Sequence, residues 1–241
     1  MMAKKKNKRP QPSPRLTRPR LLDGLPGPGR TRIRLARPED SDQFGALLEA
    51  ATGDVEQAHL DAVAASRCGA WLLDGLSGGA RTMIEPLARA DANGDLSHAA
   101  LALALPLVAE GRDRTLAGAL LALPPGTVVQ TVRDAGYEQH ALLAMLKYAK
   151  IKALAVAEDA RGQGLGAALL KRCIQVYWQL DFMLLYGQFE PGRALGPFYD
   201  RSGFTVLPPG QATDIGYVLT GRPIGLGAGP GEQLFFRWNR N

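Results

Sequence analysis

Residues 154–170 read LAVAEDARGQGLGAALL. The first part is an apolar segment typical of a buried strand, and the last part has the apolar spacing of a helix. Glycines let the main chain approach a charged ligand closely, and the first N–H groups of a helix have no partner within it. The segment therefore predicts a strand, a turn and a helix that together bind an anion such as a pyrophosphate.

The spacing of these glycines excludes two familiar phosphate-binding motifs. Gly162, Gly164 and Gly166 do not match Gly-x-Gly-x-x-Gly, and they lie two thirds of the way along the chain rather than in an opening βαβ unit. No Lys-Ser or Lys-Thr pair follows the last glycine, so the turn is not a Walker loop. A plain glycine turn before an ordinary helix is the structural alternative. The crowding of Arg161 and three glycines into six residues argues against it.

Two motifs in order resemble the GNAT superfamily of N-acetyltransferases. Arg161-x-x-Gly164-x-Gly166 resembles the pyrophosphate loop of that family, and residues 154–156 match the strand that leads into it. After the helix comes an apolar run, 182–186, which predicts a buried strand. Residues 198–204, Phe-Tyr-Asp-Arg-Ser-Gly-Phe, then resemble the family's Phe-Tyr-x-x-x-Gly-Phe signature.

The resemblance implies the fold and the co-substrate. The implied fold is α/β (α+β), with a central mixed, mostly antiparallel twisted sheet flanked by helices and one strand splayed at the acetyl-CoA site. Acetyl-CoA would lie with its pyrophosphate on the glycine turn and its pantetheine arm along the strand. The residues implied to bind it are Leu154, Ala155, Val156, Arg161, Gly162, Gln163, Gly164, Leu165 and Gly166.

The resemblance also implies a mechanism, in which an amine attacks the thioester directly. Tyr199 is the candidate general acid for the departing thiolate, and a strand N–H near Val156 is the candidate oxyanion donor. The alternative for Tyr199 is a packed aromatic on a helix. Many members carry a Glu near the start of this strand and an Asn before the Tyr, where this chain has Lys-Ile-Lys at 150–152 and Gly192.

The sequence leaves the general base open. Glu190, Glu138, His140 and a chain of water molecules are alternatives for this role. Two cysteines and three scattered histidines give neither a metal-ligand spacing nor a disulfide framework, so we expect no metal.

Charge is distributed unevenly along the chain. Residues 1–37 carry twelve Lys or Arg against Asp23 alone, a charge of +11, whereas the whole chain is +6, so the remainder is −5. Prolines without apolar periodicity predict that residues 1–30 form a disordered basic tail. Such a tail can contact nucleic acid or a ribosome through phosphates, and a merely solvated extension is the alternative.

The rest of the chain, 31–241, reads as one acetyltransferase-like domain with an insertion around 74–98. The pattern predicts a strand at 31–36, helices from Ser41 and over 55–66, and a hairpin from the alternating leucines at 101–107 and the run 115–123. It also predicts helices over 128–146 and a closing strand pair at 216–219 and 233–238.

We therefore expect an acetyl-CoA-dependent N-acetyltransferase that acts on a primary amine of a small molecule or a protein. The alternatives are a catalytically inactive acyl-CoA-binding module and a nucleic-acid- or ribosome-associated protein directed by its tail. No apolar run has membrane-spanning length, and the basic start is not followed by a signal-type apolar region. The expected protein is cytoplasmic, without membrane contact, and a monomer or homodimer.

Overall fold

The apolar segments predicted as strands form a central sheet in the computed structural model, which describes residues 15–52, 55–193 and 195–239. Within these ranges eight strands lie in the order β1-β2-β3-β4-β5-β6-β10-β7, and β8 and β9 form a separate hairpin. All neighbours in the sheet are antiparallel except β5 and β6. The strands are β1 Leu25–Pro26, β2 Arg32–Leu35, β3 Leu105–Glu110, β4 Leu116–Leu123, β5 Tyr148–Val156, β6 Leu184–Phe189, β7 Thr205–Val206, β8 Ala212–Asp214, β9 Gly225–Gly227 and β10 Gln233–Trp238.

Helices connect the strands and cover the sheet. They are α1 Arg18–Asp23, α2 Ser41–Thr52, α3 Gln57–Ala64, α4 Ala70–Gly78, α5 Ile84–Ala92, α6 Leu96–Ala102, α7 Gly126–Asp134, α8 Glu138–Lys147, α9 Leu165–Gln179, α10 Gly196–Arg201 and α11 Tyr217–Thr220. Helix α9 packs on β3, β4 and β5, and α2 packs on β4 and β5. This arrangement confirms the predicted α/β fold with a mixed, mostly antiparallel sheet flanked by helices.

Each face of the sheet has its own apolar core. On one face α9 contributes Leu169, Cys173 and Val176, and on the other α2 contributes Phe44 and Leu48; all five side chains are fully buried. Complete burial of a large apolar side chain contributes roughly 1.5–3 kcal/mol. The elements β5 and α9 are therefore held by packing, and Cys173 is a core residue.

Strand β5 contains a bulge that changes which face its side chains occupy. In the pairing with β4, Leu121 faces Ala153 and Ala122 faces Ile151, so β5 contains one more residue than β4 at this point, Lys152. Ile151 before the bulge and Leu154 after it pack in the same core cluster, although they are three residues apart. The alternation of a regular strand would place them on opposite faces.

Arg34 of β2 is the centre of a buried ionic network. Its guanidinium group donates to Asp40 at 2.5 and 2.9 Å, to Glu110 at 2.9 and 3.0 Å, and to the main-chain oxygen of Leu35 at 3.0 Å. These contacts use all five N–H donors of the group. They tie β2 to the turn before α2 and to the end of β3.

The N-terminal segment corrects the predicted extent of disorder. Residues 15–30 form α1, β1 and a 3-10 turn, and Leu16 and Leu21 are fully buried. The Leu16 main chain exchanges two hydrogen bonds with the Gln179 side chain, at 2.7 and 2.6 Å. The prediction of a disordered tail is therefore wrong from residue 15 onward, because leucines spaced between the prolines join the main core. Residues 1–14 lie outside the described residues.

Two predicted strand boundaries are also corrected. Leu101 belongs to α6 rather than to a strand, and the hairpin begins with β3 at Leu105. Residues 217–220 form α11 because Gly216 accepts hydrogen bonds from the N–H groups of Leu219 and Thr220. The closing strand β10 instead pairs with β6 and β7.

The remaining predicted elements are confirmed. The structure has a strand within 31–36, helices from Ser41 and within 55–66, the second hairpin strand, helices within 128–146 and a strand overlapping 182–186. Helices α4, α5 and α6 occupy most of 74–98, and the interpretation of this stretch as an insertion stays a prediction. Among the described residues, no helix combines the length and apolar character needed to span a bilayer.

Candidate active site

Strands β5 and β6 separate after a short parallel ladder. The ladder joins Tyr148 to Leu184, Ala149 to Leu185 and Lys150 to Tyr186, and it goes no further. On its other edge β6 is paired with β10 along its whole length. Between 151 and 156, β5 therefore has a main-chain edge that β6 does not use. This is the splayed strand that the resemblance implied.

A glycine turn follows the splayed part of β5. Gly162 and Gly164 have φ values of +77° and +82°, which L side chains rarely adopt. Helix α9 then begins at Leu165, and no side chain caps its first N–H groups. These N–H groups, together with the positive end of the helix dipole, suit an anionic group.

A cavity of about 850 Å³ lies between this strand and α2. We call it the turn-side cavity. Of the residues predicted to bind acetyl-CoA, it is lined by Leu154, Ala155, Val156, Arg161 and Gly166. It leads from the splayed strand to the glycine turn.

A second cavity, of about 250 Å³, adjoins the first. We call it the lysine-side cavity, because Lys150 and Lys152 line it together with Tyr199. The two cavities share the lining residues Ala51, Leu154 and Leu195. A molecule in the turn-side cavity and a molecule in the lysine-side cavity would therefore meet beside Leu154.

Tyr199 lies on α10 and lines the lysine-side cavity. Its ring stacks on Phe235 with the centroids 3.6 Å apart and on Phe189 with the centroids 5.6 Å apart. Only 6% of the residue is exposed, and its hydroxyl makes no hydrogen bond to another described residue. Burial raises the pKa of Tyr199 above its ordinary value, so the phenol is protonated at neutral pH. The residue is both a packed aromatic and a candidate proton donor.

The turn after α10 explains the glycine in the motif Phe-Tyr-x-x-x-Gly-Phe at residues 198–204. Gly203 has a φ of +81°, and a Cβ atom added there would lie 3.0 Å from a guanidinium nitrogen of Arg237. Phe204 then donates its N–H to the main-chain oxygen of Tyr199 at 3.1 Å. Its ring makes an edge contact with the Tyr199 ring at 6.0 Å between centroids. The motif therefore fixes the position of Tyr199.

The lysine-side cavity has charges of both signs. Glu232 accepts hydrogen bonds from the Gln188 side chain at 2.5 Å and from the Gly229 N–H at 3.1 Å. Burial and then the positive charge of Lys152 lower the pKa of Lys150, while the negative charge of Glu232 acts in the opposite direction. The carboxylate of Glu190 lies in the same lining.

Residues 113–206 match the family model described as "Acetyltransferase (GNAT) domain". This part of the chain is similar to a GNAT domain. It runs from just before β4 to β7 and includes the splayed strand, the glycine turn and Tyr199. No protein of curated function matches the sequence significantly.

Several solved structures resemble the whole described chain. The GNAT domain of S. lividans PAT is 11% identical, with a TM-score of 0.51 over 88% of this chain and 92% of that one, and it supports the fold. A Bacillus subtilis acetyltransferase in complex with CoA is 13% identical, with a TM-score of 0.46 over 87% and 99%. PaiA N-acetyltransferase from Thermoplasma acidophilum, in complex with coenzyme A, is 13% identical, with a TM-score of 0.45 over 87% and 99%.

Four residues predicted to bind acetyl-CoA are not among those that line the turn-side cavity. Gly162, Gln163 and Gly164 are exposed in the turn beyond the cavity lining. The side chain of Leu165 is buried in the core, so only its main chain faces the turn. The Arg161 side chain is exposed, and its Nε lies 3.4 Å from the Val156 oxygen.

The candidate bases are separated by their positions. Glu190 lines the lysine-side cavity, whereas Glu138 and His140 lie on α8 and line neither cavity. Glu232 and Gln188 line the lysine-side cavity but are absent from the sequence prediction. In the sequence they are marked only as polar residues near the ends of two apolar segments. The register that brings β10 beside β6 could not be predicted from the sequence.

Proposed function

We propose that this GNAT domain is an acetyl-CoA-dependent N-acetyltransferase that transfers the acetyl group directly to a primary amine. The observation that carries the proposal is the end of the β5–β6 ladder at Lys150, directly before a strand edge that leads to a glycine turn. The free edge suits the amide groups of a pantetheine arm, which would add to β5 as a short extra strand. The turn suits the pyrophosphate.

The residues present fit such a coenzyme. Apolar side chains of α2 and of β5 line the turn-side cavity, including Leu47 and Leu154, and they would cover the pantetheine arm. Arg161 at the mouth supplies a positive charge for the phosphates. A carboxylate, Glu158, also lies in the lining.

The chemistry places the acceptor amine in the lysine-side cavity. Its nitrogen attacks the thioester carbonyl carbon, and a β5 N–H near Val156 stabilises the negative charge that develops on the carbonyl oxygen. The carbon–sulfur bond then breaks, and Tyr199 gives its proton to the leaving sulfur. The surplus amine proton passes to a carboxylate of the cavity, Glu190 or Glu232, directly or through water.

Calorimetry with acetyl-CoA and a thiol-release assay with a panel of amines test this proposal. We expect saturable acetyl-CoA binding and thiol release that requires both acetyl-CoA and an amine. Binding without thiol release from any amine would favour an inactive acyl-CoA-binding module. Absence of binding would overturn the proposed site.

We infer a cytoplasmic location because both cysteines are free and buried, which suits a reducing compartment. We also propose that residues 31–241 act as one acetyltransferase domain, to which the packed segment 15–30 belongs as well. The acceptor and oligomeric state are matters for the assays above and for sedimentation analysis.

A further inference from the structure

The two walls of the lysine-side cavity carry opposite charges. Lys150 and Lys152 come from β5, whereas Glu190 and Glu232 come from the ends of β6 and the loop before β10. Strands β5 and β6 separate after their ladder ends at Lys150. The splay therefore separates a cationic wall from an anionic one.

Lys150 and Glu232 face this gap without pairing. Among the described residues no salt bridge within 4.0 Å includes either of them, although the charge of Glu232 acts on Lys150. Glu232 is fixed by Gln188 and Gly229, and the ammonium group of Lys150 makes no hydrogen bond to a described residue. A half-buried ammonium group without a close partner is costly unless a ligand supplies the partner.

We infer that the acceptor is a small amino acid, whose carboxylate binds Lys150 while its amine lies on the glutamate side of the cavity, beside Tyr199. The inference rests on the proposed acetyltransferase function. In this pose the reacting amine is near a glutamate that takes up its proton. The carboxylate of the amino acid is kept away from the thioester carbon. Lys152 adds a second positive charge to the same wall.

The size of the cavity agrees with this class of acceptor. Its volume of about 250 Å³ is below the roughly 300–1,000 Å³ that is typical of pockets for drug-sized ligands. The two lysines would also repel a polycationic acceptor, because like charges at close range cost free energy in a partly desolvated site. A small zwitterion satisfies both the volume and the two walls.

Matched pairs of acceptors test the inference. Each pair is an amino acid and the amine that remains when its carboxylate is removed: L-alanine and ethylamine, L-ornithine and putrescine, L-lysine and cadaverine. We expect kcat/KM to be at least tenfold higher for the carboxylated member of a pair. Lys150→Met should reduce that ratio to about one, and Lys150→Arg should keep it, since the positive charge remains.

Lys171→Met is the matched control, because Lys171 is exposed on α9 and lines neither cavity. Its acceptor ratio and acetyl-CoA affinity should equal those of the wild type, and acetyl-CoA affinity of Lys150→Met should also be unchanged. Transfer that favours the decarboxylated members, or a ratio that Lys150→Met leaves intact, would overturn this inference alone. Absence of transfer to every amine would overturn the proposed function as well.

Discussion

Tyr199 is a core residue and, in the proposed function, also the proton donor. The ring takes part in an aromatic cluster with Phe189, Phe204 and Phe235, and the residue lines the lysine-side cavity. The two interpretations of this residue in the sequence were therefore not exclusive. A substitution that keeps the ring and removes only the hydroxyl separates them.

Tyr199→Phe should lower kcat by about 10²- to 10⁴-fold, the usual contribution of a positioned proton donor. Acetyl-CoA affinity should change little, because the ring still stacks on Phe235. Steady-state kinetics and calorimetry measure the two effects. Tyr217→Phe, which removes the hydroxyl of an exposed tyrosine that lines neither cavity, is the control. Wild-type turnover in Tyr199→Phe would remove Tyr199 from the mechanism.

Gly164→Glu should abolish acetyl-CoA binding, because it places a negative charge where the pyrophosphate is proposed to lie. Gly164→Gln has nearly the same shape without the charge, so the difference between the two variants measures electrostatics. Gly210→Glu controls for backbone strain, since Gly210 has a φ of +77° and open space around it outside the site. Equal acetyl-CoA affinity for all three variants, measured by calorimetry, would contradict the placement of the pyrophosphate.

At the scale of elements, the strand, turn and helix of 154–170 could be predicted because their pattern is local. Apolar residues, glycines with positive φ and the helical repeat follow one another within 17 residues. The bulge at Lys152 could not be predicted, because it depends on the register with β4. The partners Gln188 and Glu232 depend on the register of β10 with β6, which is also non-local.

Other elements were misread for a related reason. Residues 217–220 contain β-branched and aromatic side chains that favour a strand, but the tight turn at Gly216 places them in a helix. Leu16 and Leu21 lie among prolines and basic residues, a composition typical of disorder, yet both are buried against the domain. Tertiary packing outweighed local propensity at both places.

The network around Arg34 predicts a large effect on stability. Arg34→Met should lower the free energy of unfolding by about 3–5 kcal/mol, because it leaves the carboxylates of Asp40 and Glu110 without their cation. Arg32→Met, at the exposed first residue of β2, should have a small effect. Urea denaturation of both variants measures the difference, and equal losses would show that the network does not stabilise the fold.

The same network predicts sensitivity to acid. Burial raises the pKa of Asp40, but hydrogen bonds from Arg34 and Arg37 outweigh it, so the pKa is lowered; the Arg34 hydrogen bonds also lower the pKa of Glu110. Their contribution is complete above the unfolded-state values of about 4 and is lost as the pH falls below them. The urea concentration at the midpoint of unfolding should decrease as the pH is lowered from 7 to 3. The decrease should be less steep in Arg34→Met. A parallel decline in both proteins would contradict this origin.

At the scale of the whole molecule, the packed segment 15–30 extends the domain toward the N-terminus. Leu21→Ala should cost about 2–5 kcal/mol of stability, because it leaves a cavity in the core. Leu22→Ala, at the neighbouring half-buried position, should cost less. Thermal or urea unfolding compares them, and negligible losses in both would restore the prediction of a tail that ends at residue 30.

Residues 1–14 contribute five Lys or Arg residues and no acid. We expect deletion of these residues to weaken binding to single-stranded RNA and to reduce the salt dependence of binding, because fewer phosphates are neutralised. Stability and acetyl transfer should remain, since the described core contacts stay in place. Fluorescence anisotropy at several salt concentrations measures the effect. Identical salt slopes for both proteins would identify the segment as a solvated extension.

The extra residue in β5 has a consequence for how such proteins diverge. Because the strand resets its alternation at Lys152, mutations on the Lys150 side need not alter which side chains face the turn-side cavity beyond Leu154. One continuous strand thus consists of two stretches that can evolve separately. In the proposed function, acceptor preference can therefore change between related proteins while the coenzyme site is kept.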